Sequence, residues 1–401
     1  MGTFTTIDDP SQFFQVEVYS DGDASTDDTT SQTFDGNANL QPDLLWFKSR
    51  NVVGNHGLLD TTRGKGGGTS FKTFFLQGGS TAAERTSSSG YDLTAMNSDG
   101  FSYGRPNQLD WAHGTPAQNV VWAWKINGGT TASNSASANN ADVASVNQVN
   151  NTSGIAVGTY TGSGTSNHEV YTGLTGSVET AVVKNRDDAN TNFQVVWPYY
   201  AFESSTRFLR LNSTDDGASV GGNSGEHQQG VVDVHPDSVN TGTINLTSGG
   251  AGLDDVNKSS TDYWYWAMKS IKGFSKIGGY TSNNNADGPY IYCGFQPAFV
   301  MIKEISDGGT SWRIYDNKRP GHNGGSQGHD YIKAQTTEVE TAHSTSEIHF
   351  TGHGFKLTGA EGDINYNELK MVYWAFAHHP LVTSTGIPTT GFGRIPGSVG
   401  S

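Results

Sequence analysis

Few stretches of this chain carry residue types at spacings that do chemistry. Gly324-Gly325-Ser326-Gln327-Gly328 matches the G-x-S-x-G pattern, in which a strained turn exposes a nucleophilic serine. That elbow needs an apolar strand before it and a helix after it. Here Pro320 to Asn323 and Gly328-His329-Asp330 flank it, and both read as loop, so His322 and His329 nearby are not expected to complete a catalytic group. Asp21-Gly22-Asp23 with Asp27-Asp28 begins like a calcium-binding loop. An EF-hand wants Gly at its sixth position and Glu at its twelfth, where this chain has Thr26 and Gln32. A calcium site of another kind on a sandwich loop stays open for this stretch and for Asp187-Asp188, Asp215-Asp216 and Asp254-Asp255, whose alternative reading is turn carboxylates in water. His378-His379 follow an aromatic run. Adjacent strand residues point to opposite faces, so the two are not expected to share a metal. No catalytic residue, metal ligand or cofactor site is therefore assigned. What remains is aromatic: Trp197, Tyr199, Tyr200, Tyr290 and Tyr292 could stack their apolar ring faces on sugars.

The bulk properties narrow the partners. The chain has 401 residues, 39 acidic against 24 basic side chains and a formal net charge of -15, so a phosphate backbone would be repelled. An anionic membrane surface is disfavoured for the same reason. Cys293 is the single cysteine, which excludes an intramolecular disulfide and reads as a small buried residue in an apolar strand. Met1 to Pro10 has no basic region and no apolar run, so no cleaved signal peptide is expected, and no apolar run is long enough to span a bilayer.

The elements that would position any site are repeated. A short strand ending in Tyr occurs as Val16 to Tyr19, Val157 to Tyr160 and Ile277 to Tyr280. An apolar run closed by Lys occurs as Gln41 to Lys48, Ser177 to Lys184 and Gln296 to Lys303. A polar turn follows at Gly79-Ser80-Thr81, Asn212-Ser213-Thr214 and Gln335-Thr336-Thr337. Then comes an aromatic run: Val121 to Lys125, Tyr265 to Lys269 and Tyr373 to Ala377. Blocks in one order at matched spacing, three times over, indicate a duplicated unit. The first and third copies also share Asp60…Arg63 with Asp316…Arg319, and Asp99-Gly100-Phe101 with His353-Gly354-Phe355; the middle copy lacks both.

The predicted organisation is residues 1–128 for an N-terminal segment and the first repeat, 129–153 for an Asn/Ser/Ala-rich linker, 154–273 and 274–382 for the second and third repeats, and 383–401 for a Gly/Pro-rich tail. The apolar runs have no helical period, carry β-branched and aromatic residues, and are separated by Gly/Asn turns. Trp122 and Trp124 should point to one face and Val121 and Ala123 to the other. The expected fold class is all-β: three tandem β-sandwich modules of jelly-roll or lectin-like type with short linkers. A short helix from Ser80 to Arg85, capped by Ser80, is the one exception expected.

Thr5 to Pro10, Asn39 to Lys48, Asn97 to Phe101, Ala286 to Tyr292, Phe295 to Lys303 and Ile314 to Arg319 carry a resemblance. Together they resemble a family of repeat-containing virion structural, or tail-fibre-like, proteins of marine tailed phages with a lectin-like sandwich domain of unknown function. The resemblance spans about residues 3–382 and transfers no catalytic or binding residue. It implies a non-enzymatic virion protein, assembled in the host cytoplasm and released with the particle. Its partners would be other virion proteins, further copies of itself (a trimer suits a fibre-like part) and a host-surface glycan or receptor; neither nucleic acid nor membrane insertion is implied. The first repeat starts within about a dozen residues of Met1 and no heptads are visible, so a long fibre with an attachment domain and coiled shaft is not expected, and a compact tail appendage competes with a capsid decoration or head-fibre protein of purely architectural role. A polysaccharide-degrading tailspike is the third alternative.

Overall fold

The computed structural model describes residues 5–20, 30–66, 70–76, 83–85, 93–104, 117–137, 139–196, 207–214, 218–219, 231–233, 242–247, 255–306, 308–319, 330–342, 347–360, 362–366 and 368–389. Among these the only helical element is a 3-10 turn at Pro10–Gln12, capped by the Asp9 side chain. The chain is all-β, as its turn-rich, β-branched composition requires. The expected helix at Ser80 is not found in the described part: Arg85 instead exchanges backbone hydrogen bonds with Thr73.

The repeated blocks occupy matching strands. The first large sheet runs Phe14–Ser20, Gln118–Trp124, Leu44–Ser49, His56–Asp60 and Thr73–Leu76 in spatial order. The third runs Ser275–Thr281, Lys370–Pro380, Phe295–Glu304, Arg313–Asp316 and Ile332–Lys333. The middle one has the same core order, Ile155–Thr161, Asp262–Met268, Thr180–Asn185, Gln194–Val196 and Arg207–Arg210. All pairs are antiparallel and the register repeats: Trp122 lies between Val16 and Trp46, Trp266 between Val157 and Val182, and Trp374 between Ile277 and Met301. Where Gly158 and Gly278 stand, their cross-strand partners are Tyr265 and Tyr373, and a Cβ at either glycine would meet that ring. In the first sheet the same place holds Glu17 opposite the smaller Val121.

Each large sheet is buried on both faces, which is why its strands read as unbroken apolar runs. One face packs on a three-stranded sheet of its own. Those sheets are Thr30–Gln32 with Phe101–Tyr103 and Leu93–Met96, then His168–Tyr171 with Thr243–Thr247 and Val231–Asp233, then Tyr290–Tyr292 with Gly354–Leu357 and Ile348–Thr351. Val121 and Ala123 lie in the first of these outer cores. The other faces meet in one shared core that takes Trp46, Trp122 and Trp124 from the first sheet, Trp264 and Trp266 from the second, and Trp374 from the third, joined by Trp312. Trp124 packs edge-on to Trp266 at 4.9 Å between ring centroids, and Trp266 to Trp374 at 5.6 Å. The facing-sheet sandwiches are thus not beads on a string; a fourth core binds them together.

The 129–153 segment is not a linker. Ala132–Asn134 and Ser145–Asn150 form strands that extend the middle sheet beyond Ile155–Thr161. Asn139 and Asn140, both in the left-handed region, turn the chain between them. Its polar composition misleads because edge pairing satisfies the backbone directly and needs little apolar surface. Of the tail, Ser384 donates from its N–H and hydroxyl to the Asp8 carboxylate, so the two ends of the described chain meet.

Candidate functional site

The lysine that closes each apolar run proves to be buried and to donate to backbone oxygens, and Lys48 and Lys303 do so across the meeting of two units. Lys48 Nζ donates to Gly54 O at 2.7 Å and to Thr337 O at 3.1 Å. Lys303 Nζ donates to Glu304 O at 2.7 Å and to Thr214 O at 3.3 Å. Lys184 Nζ donates to Asn185 O and Thr191 Oγ1, both at 2.9 Å. Burial pulls the Lys48 and Lys184 ammonium groups down to about 8. Beside Lys48, His56 is buried and accepts from Trp46 Nε1 on Nδ1 while its Nε2 faces Lys333 O at 3.1 Å. Burial holds it well below the ordinary imidazole range, so it is neutral.

Ion pairs reinforce two of these junctions in the same pattern. Arg63 binds Asp60 at 2.5 Å, and Glu84 joins Arg63 to Arg186 of the next sheet at 3.4 and 2.9 Å. Arg319 binds Asp316 at 2.6 Å, and Glu340 joins Arg319 to Arg50 of the first sheet at 3.0 and 2.8 Å. Trp122 Nε1 also donates to Asp316 at 3.0 Å, and these hydrogen bonds with the Arg319 charge hold the Asp316 carboxyl below its usual range against its burial. At the remaining junction Ile305 stands where Arg50 and Arg186 stand, and Trp312 Nε1 donates to Arg210 O at 2.9 Å. These groups are structural, fully engaged, and closed to a ligand.

The candidate binding face is on the outside. Ile291 points into the third outer core, so its neighbours Tyr290 and Tyr292 both face out. They are 45 % and 59 % exposed. Across the ladder Tyr290 faces Lys356, and Lys356 in turn faces His349; Tyr292 faces Gly354, which faces Thr351. Tyr290 Oη lies 3.3 Å from Thr351 Oγ1, and its ring meets His353 edge-on. Lys356 is held by Asp287 at 2.6 Å. Gly354 is required where it stands: a Cβ there would lie 1.9 Å from Ile291 O, and one at Gly100 would lie 1.9 Å from Gln32 O at the matching place of the first unit. The result is two adjacent phenol rings bordered by hydroxyl, imidazole and ammonium groups, an arrangement that can stack on a sugar ring and hydrogen-bond its hydroxyls. Trp197, Tyr199 and Tyr200 lie outside the described residues, as do the Gly324 to Gly328 motif with His322 and His329, the Asp21 to Asp28 and Asp215-Asp216 clusters, and Asp254.

The other acidic and histidine candidates do not converge. Asp187 accepts from Asp262 N and Asp188 from Asn190 N, both at 2.8 Å. Asp255 is buried against Gln194 and Asn192, and burial lifts its carboxyl to about 6. Among the described residues no three His, Cys, Asp or Glu groups are placed to hold a metal. His378 and His379 depart from the opposite-face expectation: their rings are 4.0 Å apart. The register shifts at Pro297, which pairs with Ala377 while Gln296 pairs with His379, so His378 is an extra bulged residue and its ring is re-aimed. They border a cleft of about 140 Å³ with Gln15, Asp35 and Lys318. On one rim Lys318 and Asp35 form an exposed ion pair at 2.5 Å; near it Glu17 is lifted to about 7, mainly by burial and then by the Asp35 charge. Cys293 lies at the edge of the third outer core, and burial pushes its thiol up to about 12, which leaves it unreactive.

Residues 9–380 match the family model described as Domain of unknown function (DUF7483), and the chain belongs to that family. No curated protein and no solved structure matches it.

Proposed function

We propose that this member of a family without an assigned activity is a virion structural protein exposed on a phage particle, built from three copies of one two-sheet unit. In this reading it serves as a tail fibre or compact tail appendage that contacts a host-surface glycan through Tyr290 and Tyr292. The observation that carries the reading is the pair of outward tyrosines, two positions apart on one outer strand, in a chain most of whose described aromatics are buried; Tyr366 is the other exposed ring among the described residues and stands alone in a turn. Large apolar rings held in water at a rigid sheet surface are unfavourable unless something covers them, and flat rings bordered by polar groups suit saccharides. The repeat and the resemblance it carries supply the virion context.

Binding of the full chain to host cells and to purified surface glycans tests the proposal. Tyr290→Ala with Tyr292→Ala removes two stacking surfaces, each of the order of 1 kcal/mol, so affinity should fall about tenfold or more. The thermal midpoint should barely move, because both rings are largely exposed. Unchanged glycan binding in the double variant would sink the assignment of this face. Failure of the wild-type chain to bind any host glycan would favour the purely architectural alternative, a capsid decoration or head-fibre protein.

A further inference from the structure

The middle unit carries its own covering strand, and among the described residues the third unit has none. Asp142 N and Val143 N both donate to Glu169 O, at 2.9 and 3.1 Å, and Glu169 N donates back to Asp142 Oδ2 at 3.0 Å. Val143 runs parallel to Val170 and is buried in that unit's outer core. A few residues later, Ser145–Asn150 pairs with the edge of the large sheet. One segment thereby closes both sheet edges on that side of the sandwich.

In the third unit the matching edges are Tyr290–Tyr292 and Ser275–Thr281, each the outermost strand of its sheet. Ile291 takes the place of Val170, since each is the buried middle residue that pairs with a buried residue of the central strand, Phe355 or Ile244. Cys293 N donates to His353 O and Leu357 N to Pro289 O, so the odd-numbered residues bond inward. Alternation then turns the N–H and C=O of Tyr290 and Tyr292 outward, as it does for Glu169. Among the described residues nothing pairs with them. On the companion strand Ser275 is bonded to Ile271 and Ile277 N to Ser270, while Lys276, Gly279 and Thr281 are exposed. Lys276 has no carboxylate partner among the described residues.

We propose that this edge is an acceptor for an extended peptide segment from a partner, held as the middle unit holds Ala141 to Val143. The segment runs parallel to Tyr290–Tyr292, sets a small apolar residue over Ile291 and carries a carboxylate. The carboxylate is favoured by the outward N–H of Tyr290, the counterpart of the Glu169 N–H that bonds Asp142. Unmatched strand edges are the usual site of such β-addition. The inference stands apart from the glycan reading, because it uses backbone groups where that reading uses ring faces.

A synthetic peptide with the sequence of residues 139–151 is the probe, added to the full-length protein. Saturable binding is expected, with slowed hydrogen exchange at the Tyr290 and Tyr292 amides. Tyr290→Pro removes one outward donor and leaves the inward ladder intact, so it should abolish binding; Tyr290→Ala keeps the donor and should bind normally while losing glycan affinity. No binding to the wild-type protein, or equal binding by Tyr290→Pro, overturns the proposal. Should Tyr290→Pro fail to fold, the exchange map of the wild type decides: protection that appears elsewhere and not at Tyr290 and Tyr292 also overturns it.

Discussion

Glu17 shows how a single titratable group can oppose its surroundings. It sits opposite Val121 at the rim where the first and third units meet, partly buried and next to the Asp35 carboxylate. Its ionisation is lifted from the ordinary carboxylate value of 4.5 to about 7 in the folded chain. A carboxyl raised on folding stabilises the native state below its unfolded value, and that stability is lost as pH rises toward the folded value. The native state should therefore lose stability between about pH 4.5 and 7 through this group, and Glu17→Gln should flatten that part of the profile. Denaturant titrations of both proteins at pH 5 and pH 8 check this; an equal pH dependence in the two would contradict it. Lys318 moderates the effect by pairing with Asp35, so lysine removal at that position should steepen it.

Among the elements, the sequence was most legible where burial is two-sided. An apolar run without alternation can only be a strand covered on both faces or a buried helix, and the β-branched and aromatic content decided between them. Trp122 and Trp124 do separate from Val121 and Ala123, into the shared core and the first outer core. The conserved order of Lys48, Lys184 and Lys303 was visible as a pattern, but its purpose was not: a lysine at the end of an apolar run normally signals the return to water. Contacts between distant repeats reveal Lys48 and Lys303 as buried donors, and a local loop does so for Lys184. The 129–153 strands were missed because composition reports apolar content and says nothing of backbone pairing. The His378 bulge was missed because strict alternation assumes an unbroken ladder. Tyr290 and Tyr292 were legible only as aromatics able to stack on sugars; that both face out follows from the burial of Ile291 between them.

The repeated Asp–Arg–Glu–Arg clusters are the elements' strongest polar links. Arg319 is fully buried and its partners Asp316 and Glu340 have little access to water. Removing one member of such a group leaves charge buried and unpaired, at a cost of about 3–5 kcal/mol. Arg319→Leu should therefore destabilise the chain by about that much in a urea titration, and Arg63→Leu comparably. Lys333→Ala, which deletes an ion pair with the exposed Glu338, should cost under about 1 kcal/mol. A loss below 1 kcal/mol for Arg319→Leu would show that the junction is held by apolar packing alone.

Viewed as a whole molecule, the chain is a head-to-tail ring made within one polypeptide. The first unit contacts the second through Glu84 and Arg186, the second contacts the third through Thr214 and Lys303, and the third returns to the first through Glu340 and Arg50. A heterologous contact that closes after three steps uses each unit's donor and acceptor surface once. The outer sheets lie away from the shared core, and on the third of them Tyr290 and Tyr292 face out. Immunogold labelling of intact phage particles with antibodies against the folded chain tests the central claim most directly. The proposed role predicts gold on the exterior of undisrupted particles, clustered at one structural feature; labelling seen only after disruption, or absent from purified particles, would contradict it.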